Sequence, residues 1–307
     1  MKTTNLQQVP ERILGVTQSR PGFAMPENAT DCHVHIFGPA QRFQYDPERV
    51  YTPADASITD LERLHETLGI GRVVVVQPSP YGSDNACTLD AVRRLGKRAR
   101  AVAVIQPSIS DDALEAMHRD GVRGVRLNLS TDGIAEPDAA WMRIDEIANR
   151  VASLGWHVQL HTDLAMIDAL HDRLRKLRAS VAIDHFGRTV ARLGVRQPGF
   201  RSLLTLVETG KAYVKLSAGY RISEDAGWNN IASIAQSLIA ANPERILWGS
   251  DWPHPGAGRT AGNTIQETEP FFPIDNGLAL DRLESWAGDT DTLRRILVEN
   301  PTELYSF

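Results

Sequence analysis

Two histidines near the start of the chain and one aspartate near its end are the residues best suited to shared chemistry. His33 and His35 are separated by a single residue, and Asp251 follows an apolar run in the segment WGSDWPHP. Side chains on a strand alternate with a period of two, so both imidazoles would face the same way. If the carboxylate converges with them, the three groups could activate water or bind a metal ion.

The elements that must position these groups are short apolar runs that alternate with helical patterns. Strand and helix alternate eight times without a long linker, which predicts a single (β/α)8 barrel, with an open doubly wound sheet as the alternative. The predicted strands cover residues 29–36, 72–77, 101–106, 124–129, 157–161, 181–185, 212–217 and 246–250. We expect an irregular N-terminal arm at residues 1–26, the barrel at 27–307, and irregular structure at 255–275.

Polar side chains recur at the carboxyl ends of the predicted strands. Enzymes with this fold keep their chemistry at that mouth of the barrel, so these residues are candidates for the site. In strand order they are His33 and His35, Gln77 and Ser79, Arg126 and Asn128, His161, His185, Lys215 and Ser217, and Asp251. Buried charge is costly, and proteins keep it mainly where it has a partner or a function.

Composition limits the partners of the chain. It has 307 residues, a formal charge of −5 and no Lys/Arg tract, so nucleic acid is not an expected partner. The sequence contains no run of about eighteen apolar residues, so no membrane helix is predicted, and residues 1–30 lack a signal-peptide core. We therefore expect a cytoplasmic protein whose two cysteines, Cys32 and Cys87, are free thiols. Because Cys32 alternates with the two histidines, we expect it to face the helical layer.

Several motifs resemble the amidohydrolase superfamily, and more narrowly its branch of lactone-processing enzymes. They are DCHVHIFGP at 31–39, SDN at 83–85, GVRGVR at 121–126, DHFGR at 184–188 and WGSDWPHP at 248–255, with ENP at 299–301 near the end. The similarity spans about residues 27–306. The ordered combination is specific for the branch and says little about the substrate.

The resemblance implies that His33, His35, His185 and Asp251 form the reaction centre. Opening a lactone requires deprotonation of water while the ester carbonyl develops negative charge. Asp251 could accept the proton as general base, and the histidines could stabilise the carbonyl oxygen.

The cofactor remains open at this point, between none and one divalent metal. His33, His35, His161 and Asp251 make a plausible ligand set for Zn²⁺. The pyrone lactonases that the chain resembles work without metal, however, and carry Tyr where this chain has His161. That difference restores a potential ligand and weakens the direct transfer of the pyrone substrate to this chain.

Substrate recognition is expected from cationic groups. Arg126 and Arg221 resemble the carboxylate-binding arginines of the family, and a guanidinium can bind a carboxylate with two hydrogen bonds. Further polar contacts are expected from Tyr51, Ser79, His161, Tyr220 and His254. The resulting hypothesis is a lactonase for an anionic lactone in the catabolism of aromatic compounds or sugar acids. A homodimer is a further expectation, because barrels of this size commonly form dimers. Alternatives are a metal-dependent decarboxylase, a lactone isomerase and a non-enzymatic small-molecule sensor.

Overall fold

The computed structural model describes residues 11–225, 227–256 and 264–307, which contain an eight-stranded parallel barrel surrounded by helices. In chain order the barrel strands are β1 Thr30–Val34, β2 Arg72–Val76, β3 Ala99–Ala103, β4 Val122–Leu127, β5 His157–Leu160, β6 Val181–Ile183, β7 Ala212–Ser217 and β8 Ile246–Gly249. A parallel bridge between Val34 and Trp252 joins the first strand to the segment that follows the last one, and the amide of His35 donates to the Trp252 carbonyl at 2.8 Å. The predicted barrel is therefore confirmed, and the open sheet is excluded.

The helices lie between the strands and continue after the last one. They are α1 Ile58–Leu68, α2 Ala86–Leu95, α3 Asp111–Arg119, α4 Pro137–Val151, α5 Leu164–Lys176, α6 Phe200–Glu208, α7 Gly219–Ile222, α8 Ala232–Ala241, α9 Asn276–Ala287, α10 Thr290–Arg294 and α11 Asn300–Tyr305, with a π-helical turn at Arg295–Glu299. Local sequence explains the bounds of α1: Ser57 and Asp60 form a capping box, and Gly69 ends the helix in the left-handed region. Among the described residues, no helix combines the length and apolar character needed to cross a bilayer.

Segments outside the barrel are more ordered than the sequence predicts. Glu11–Ile13 and Val16–Gln18 pair as an antiparallel hairpin within the expected irregular arm, whereas residues 1–10 lie outside the described part of the chain. In the expected irregular stretch at 255–275, Thr268–Glu269 pairs with Thr52–Pro53, and residues 257–263 are likewise outside the description. Strands β3 and β4 each begin two residues before the predicted position, because Ala99 and Val122 are already buried and paired.

A bulge in β1 changes which side chains enter the barrel. Asp31 pairs with Val73 and Val34 pairs with Val75, so β1 uses one residue more than β2 over this stretch. Cys32 consequently packs on the interior side of the barrel and not on the helical layer, and that prediction is wrong. The strict period of two fails because the extra residue lets Cys32 and His33 both turn inward. The prediction of free thiols is confirmed for Cys32 and Cys87.

The C-terminal segment closes the apolar part of the barrel interior. Tyr305 is completely buried there, in a cluster with Cys32, Val74, Val76, Val102, Ala182, Tyr213 and Leu247. Its hydroxyl has no hydrogen-bond partner among the described residues. The ring therefore contributes by burial of its apolar surface and by filling space.

Tyr305→Ala is expected to lower the free energy of unfolding by about 3–5 kcal/mol, because it leaves a cavity the size of an aromatic ring. Tyr305→Phe is the matched control, and its free energy of unfolding should stay close to that of the wild type, since the removed hydroxyl makes no hydrogen bond. Urea unfolding of the three proteins measures the difference. An equal loss in both variants would show that the hydroxyl, and not the ring, stabilises this end of the barrel.

Candidate active site

Side chains from strands far apart in sequence meet at the mouth of the barrel. Asp251 Oδ1 lies 3.5 Å from His33 Nε2, 3.5 Å from His35 Nε2 and 3.9 Å from His185 Nε2. All four residues are almost fully buried. The structure thus brings together the four residues for which the sequence predicts a reaction centre.

Small and strained backbone positions make this approach possible. A Cβ atom at Gly249 would lie 2.6 Å from the Cβ of His33, so only glycine lets β8 pack this closely against β1. His185 and Asp251 both adopt positive φ, at 52° and 62°, and each is the second residue after its strand. Such conformations are uncommon for non-glycine residues and typically occur at functional sites, where packing holds them in place.

The second oxygen of Asp251 is held by two donors. The Tyr220 hydroxyl donates to Oδ2 at 2.6 Å, and Arg221 Nε donates to the same oxygen at 2.9 Å. Burial alone would raise the pKa of Asp251, but the Arg221 guanidinium and the facing imidazoles hold it well below its usual range. The carboxylate is therefore ionised, and it keeps Oδ1 free toward the histidines.

Hydrogen bonds on the far side of each imidazole orient the rings. His35 Nδ1 lies 2.8 Å from the Val76 carbonyl, which accepts only from a protonated nitrogen. In the neutral ring this leaves a lone pair on Nε2. His185 Nδ1 lies 2.8 Å from the Ser217 hydroxyl, a group that can donate or accept.

Asp184 is a site residue to which the sequence analysis gave no role. Its Oδ2 accepts from Arg126 Nε at 3.2 Å and from Gln159 Nε2 at 3.1 Å, and its Oδ1 lies 3.3 Å from His33 Nδ1. A signal was available, because Asp184 alternates with Ala182, which faces the barrel interior. His185 follows Asp184, and its positive φ turns its own side chain inward as well, which simple alternation does not predict.

Lys215 lies beneath the centre and is completely buried. Its ammonium donates to Gln159 Oε1 at 2.6 Å and to the Cys32 carbonyl at 2.9 Å, and it lies 3.3 Å from His33 Nδ1. Burial lowers the pKa of Lys215 to about 8, and the nearby Asp184 carboxylate limits the shift. Asp184 in turn has a pKa held well below its usual range, because His33, Arg126 and Lys215 outweigh the effect of burial.

Burial keeps the imidazoles of His33, His161 and His185 neutral. It lowers the pKa of His33 to about 3 and holds the pKa of both His161 and His185 well below the usual range. Hydrogen bonding at the mouth therefore depends on which nitrogen of each neutral ring carries its proton.

The residues present fit a divalent metal. Ligand atoms of His33, His35 and Asp251 lie within 4.8 Å of one another, and His33 with Asp184 and His185 forms a second such group. His33 Nε2 and Asp251 Oδ1 are buried and lack a hydrogen-bond partner among the described residues. Tetrahedral zinc with bonds of about 2.1 Å separates its ligand atoms by about 3.4 Å, close to the 3.5 Å seen here. His161 belongs to neither group.

Most of the predicted recognition residues line a small cavity of about 20 Å³, together with His35 and His185 of the reaction centre. Its side chains are His35, Tyr51, Pro78, Ser79, Arg126, Asn128, Thr131, His161, His185, Arg221 and Pro255. Tyr220 contacts Asp251 instead, and His254 Nε2 lies 3.2 Å from the Asn276 side chain. Thr131 is a lining residue that the sequence analysis missed, because it follows β4 in a loop without a periodic pattern.

Comparison with known proteins gives consistent matches over almost the whole chain. The family model described as Amidohydrolase matches residues 30–307. The chain is 36% identical over 298 residues to a 2-pyrone-4,6-dicarboxylate hydrolase of Comamonas testosteroni, covering 94% of this chain and 93% of the relative. It is 34% identical over 289 residues to a 4-sulfomuconolactone hydrolase of Hydrogenophaga intermedia, covering 92% and 90%. The crystal structure of a probable 2-pyrone-4,6-dicarboxylic acid hydrolase from Acinetobacter baumannii, with citric acid bound, superposes with a TM-score of 0.74 at 27% identity. The match covers 91% of this chain and 100% of that one.

Proposed function

This chain belongs to the amidohydrolase family and is an ester-bond hydrolase, and from this premise we propose that it opens the ring of a carboxylated lactone with water. The observation that carries the proposal is the way in which the Asp251 carboxylate is held. Its ionised carboxylate is fixed through Oδ2, while Oδ1 is free and points at three imidazole nitrogens. That is the arrangement required of a general base that takes a proton from water beside a polarised carbonyl.

The histidines divide the remaining work. With its Nδ1 proton donated to the Val76 carbonyl, His35 would present Nε2 to the attacking water and orient it together with Asp251. This differs from the expected role of His35 as a donor to the carbonyl. His33 and His185 donate from Nε2 to the carbonyl oxygen as it becomes an oxyanion. The tetrahedral intermediate then collapses, and the ring oxygen leaves with the proton returned through Asp251.

A divalent metal would be held by His33, His35 and Asp251. Such an ion would lower the pKa of water and polarise the ester carbonyl. The roles of the surrounding side chains in binding the substrate and holding its carboxylate do not depend on it.

Charge at the mouth favours an anionic substrate. Arg126 and Arg221 line the cavity and are paired with Asp184 and Asp251, and the ammonium of Lys215 beneath them is an additional positive charge in the described part of the barrel interior. The names of both relatives, a dicarboxylate and a sulfonated lactone, support the same class of substrate. A lactone ring is larger than the 20 Å³ cavity, so binding it requires some of the lining side chains to move.

Comparing a carboxylated lactone with its methyl ester tests recognition by Arg126. Arg126→Met is expected to lower kcat/KM for the acid by about 10–100-fold, because a charge-assisted hydrogen bond is lost. The ester should lose much less, since it offers no carboxylate to the guanidinium. Initial rates of acid release on both substrates give the ratio. Equal losses would mean that Arg126 acts only by holding Asp184 and would remove it from the recognition of substrate.

Lactone isomerisation by acyl migration and decarboxylation are the alternatives on the same barrel. Isomerisation uses the same carbonyl-activating groups and consumes lactone without net release of acid. Decarboxylation releases CO₂. The homodimer stays a prediction that measurement of the molar mass in solution would test.

A further inference from the structure

The buried pair Asp184 and Lys215 contacts the centre from below, through the nitrogen of His33 that faces away from Asp251. His33 Nδ1 lies 3.3 Å from Asp184 Oδ1 and 3.3 Å from Lys215 Nζ. The two neighbours demand opposite protonation. A carboxylate accepts a proton from Nδ1, whereas an ammonium donates to a lone pair there and leaves the ring proton on Nε2.

Hydrogen-bond geometry favours Lys215 over Asp184 as the partner of His33 Nδ1. Lys215 Nζ is within hydrogen-bond geometry of His33 Nδ1, whereas Asp184 Oδ1 has no hydrogen-bond partner among the described residues despite its equal distance. That oxygen therefore lies away from the direction in which an Nδ1 proton would point.

The donors of Lys215 lead to the same assignment. An ammonium has three N–H groups, and two are used by the Cys32 carbonyl and by Gln159 Oε1. The third has His33 Nδ1 at 3.3 Å and Asp184 Oδ1 at 3.8 Å. The Gln159 amide is itself fixed, because reversing it would turn its NH₂ group toward the ammonium and its oxygen toward the Asp184 carboxylate.

The opposite side of the ring also needs a proton. Asp251 is ionised and its Oδ1 lies 3.5 Å away, so a lone pair on His33 Nε2 would face a second electron-rich atom in a buried site. A proton on His33 Nε2 replaces that repulsion with a donor.

We propose that Lys215 is a positioning residue that holds His33 as the Nε2–H tautomer, so that His33 donates to the lactone carbonyl. The same nitrogen is placed where a metal ligand would be, but it must lose its proton before it can bind an ion, which lowers the affinity for metal. The proposal rests on the lactone hydrolysis proposed above. Lys215 acts only through His33 and does not contact the substrate.

Nitrogen-15 NMR of histidine-labelled wild-type protein tests the tautomer directly, with the His33 signals assigned through His33→Gln. The expected result is a protonated Nε2 and a lone pair on Nδ1, which have well-separated shifts. A proton on Nδ1 would overturn the proposal together with the donor role of His33. It would leave ring opening by water standing, because that rests on Asp251 and not on this tautomer.

The matched variants are Lys215→Met and Lys211→Met. Lys211 lies next to the same strand but donates to the carbonyls of Leu177 and Ala179, so its removal should leave the His33 shifts, kcat and zinc affinity unchanged. Lys215→Met should move the ring proton to Nδ1, lower kcat by about 100-fold with little change in KM, and raise zinc affinity about tenfold in a chelator competition. Wild-type shifts, kcat and zinc affinity in Lys215→Met would overturn the assignment. If Lys215→Met does not fold, the wild-type spectrum alone decides.

Discussion

Asp251→Asn is expected to lower kcat by about 10³–10⁴-fold, because the side chain keeps its shape but can no longer accept a proton from water. The amide oxygen can still accept from Tyr220 and Arg221, so the mouth of the barrel should keep its structure. KM should change by less than about threefold, since the lost interaction belongs to the transition state. Steady-state rates on the best carboxylated lactone measure the effect.

Asp172→Asn is the control for this change of charge. Asp172 lies on α5, its side chain is 83% exposed, and it has no role in the proposed mechanism. Its kcat should equal that of the wild type. A kcat within tenfold of wild type for Asp251→Asn would remove Asp251 as the base.

His185→Ala has the second largest expected effect, a fall in kcat of about 10²–10³-fold. The reason is the loss of a donor to the developing oxyanion, since His185 Nε2 faces the same space as Asp251 Oδ1. The variant also leaves the buried Ser217 hydroxyl without its partner, so a loss of stability of about 1–3 kcal/mol should accompany it. Thermal unfolding separates this loss from the effect on turnover.

His171→Ala is the matched control, because His171 lies on α5, where its Nδ1 is 3.3 Å from the carboxylate of the neighbouring Asp172. It should retain wild-type kcat. If His185→Ala folds and turns over at a similar rate, the carbonyl is stabilised by other groups and the proposed role of His185 is wrong.

The convergence at the mouth was predictable because it depends on simple rules. Alternation along β1 places His33 and His35 on one side, and barrel closure brings the end of β8 beside them. These rules require no knowledge of side-chain packing. The structure accordingly has Asp251 Oδ1 within 3.5 Å of both rings.

Other features depend on local departures from those rules. The bulge between Asp31 and Val34 turns Cys32 inward, and no residue type in that segment predicts a bulge. The pairing of Arg126 with Asp184 needs side-chain geometry from two strands, so the sequence identified the arginine by resemblance and gave its partner no role. The position of Lys215 under His33 is of the same kind, because only the folded barrel shows which buried polar atoms lie within reach.

Hydrolysis of a carboxylated lactone in oxygen-18 water tests the central claim most directly. If Asp251 activates water to attack the ring carbonyl, mass spectrometry of the product should show one labelled oxygen in the new carboxylate. Acid should be released in equal amount to the lactone consumed, and both signals should nearly vanish in Asp251→Asn. Consumption of lactone without label in the product, or with release of CO₂, would contradict the account.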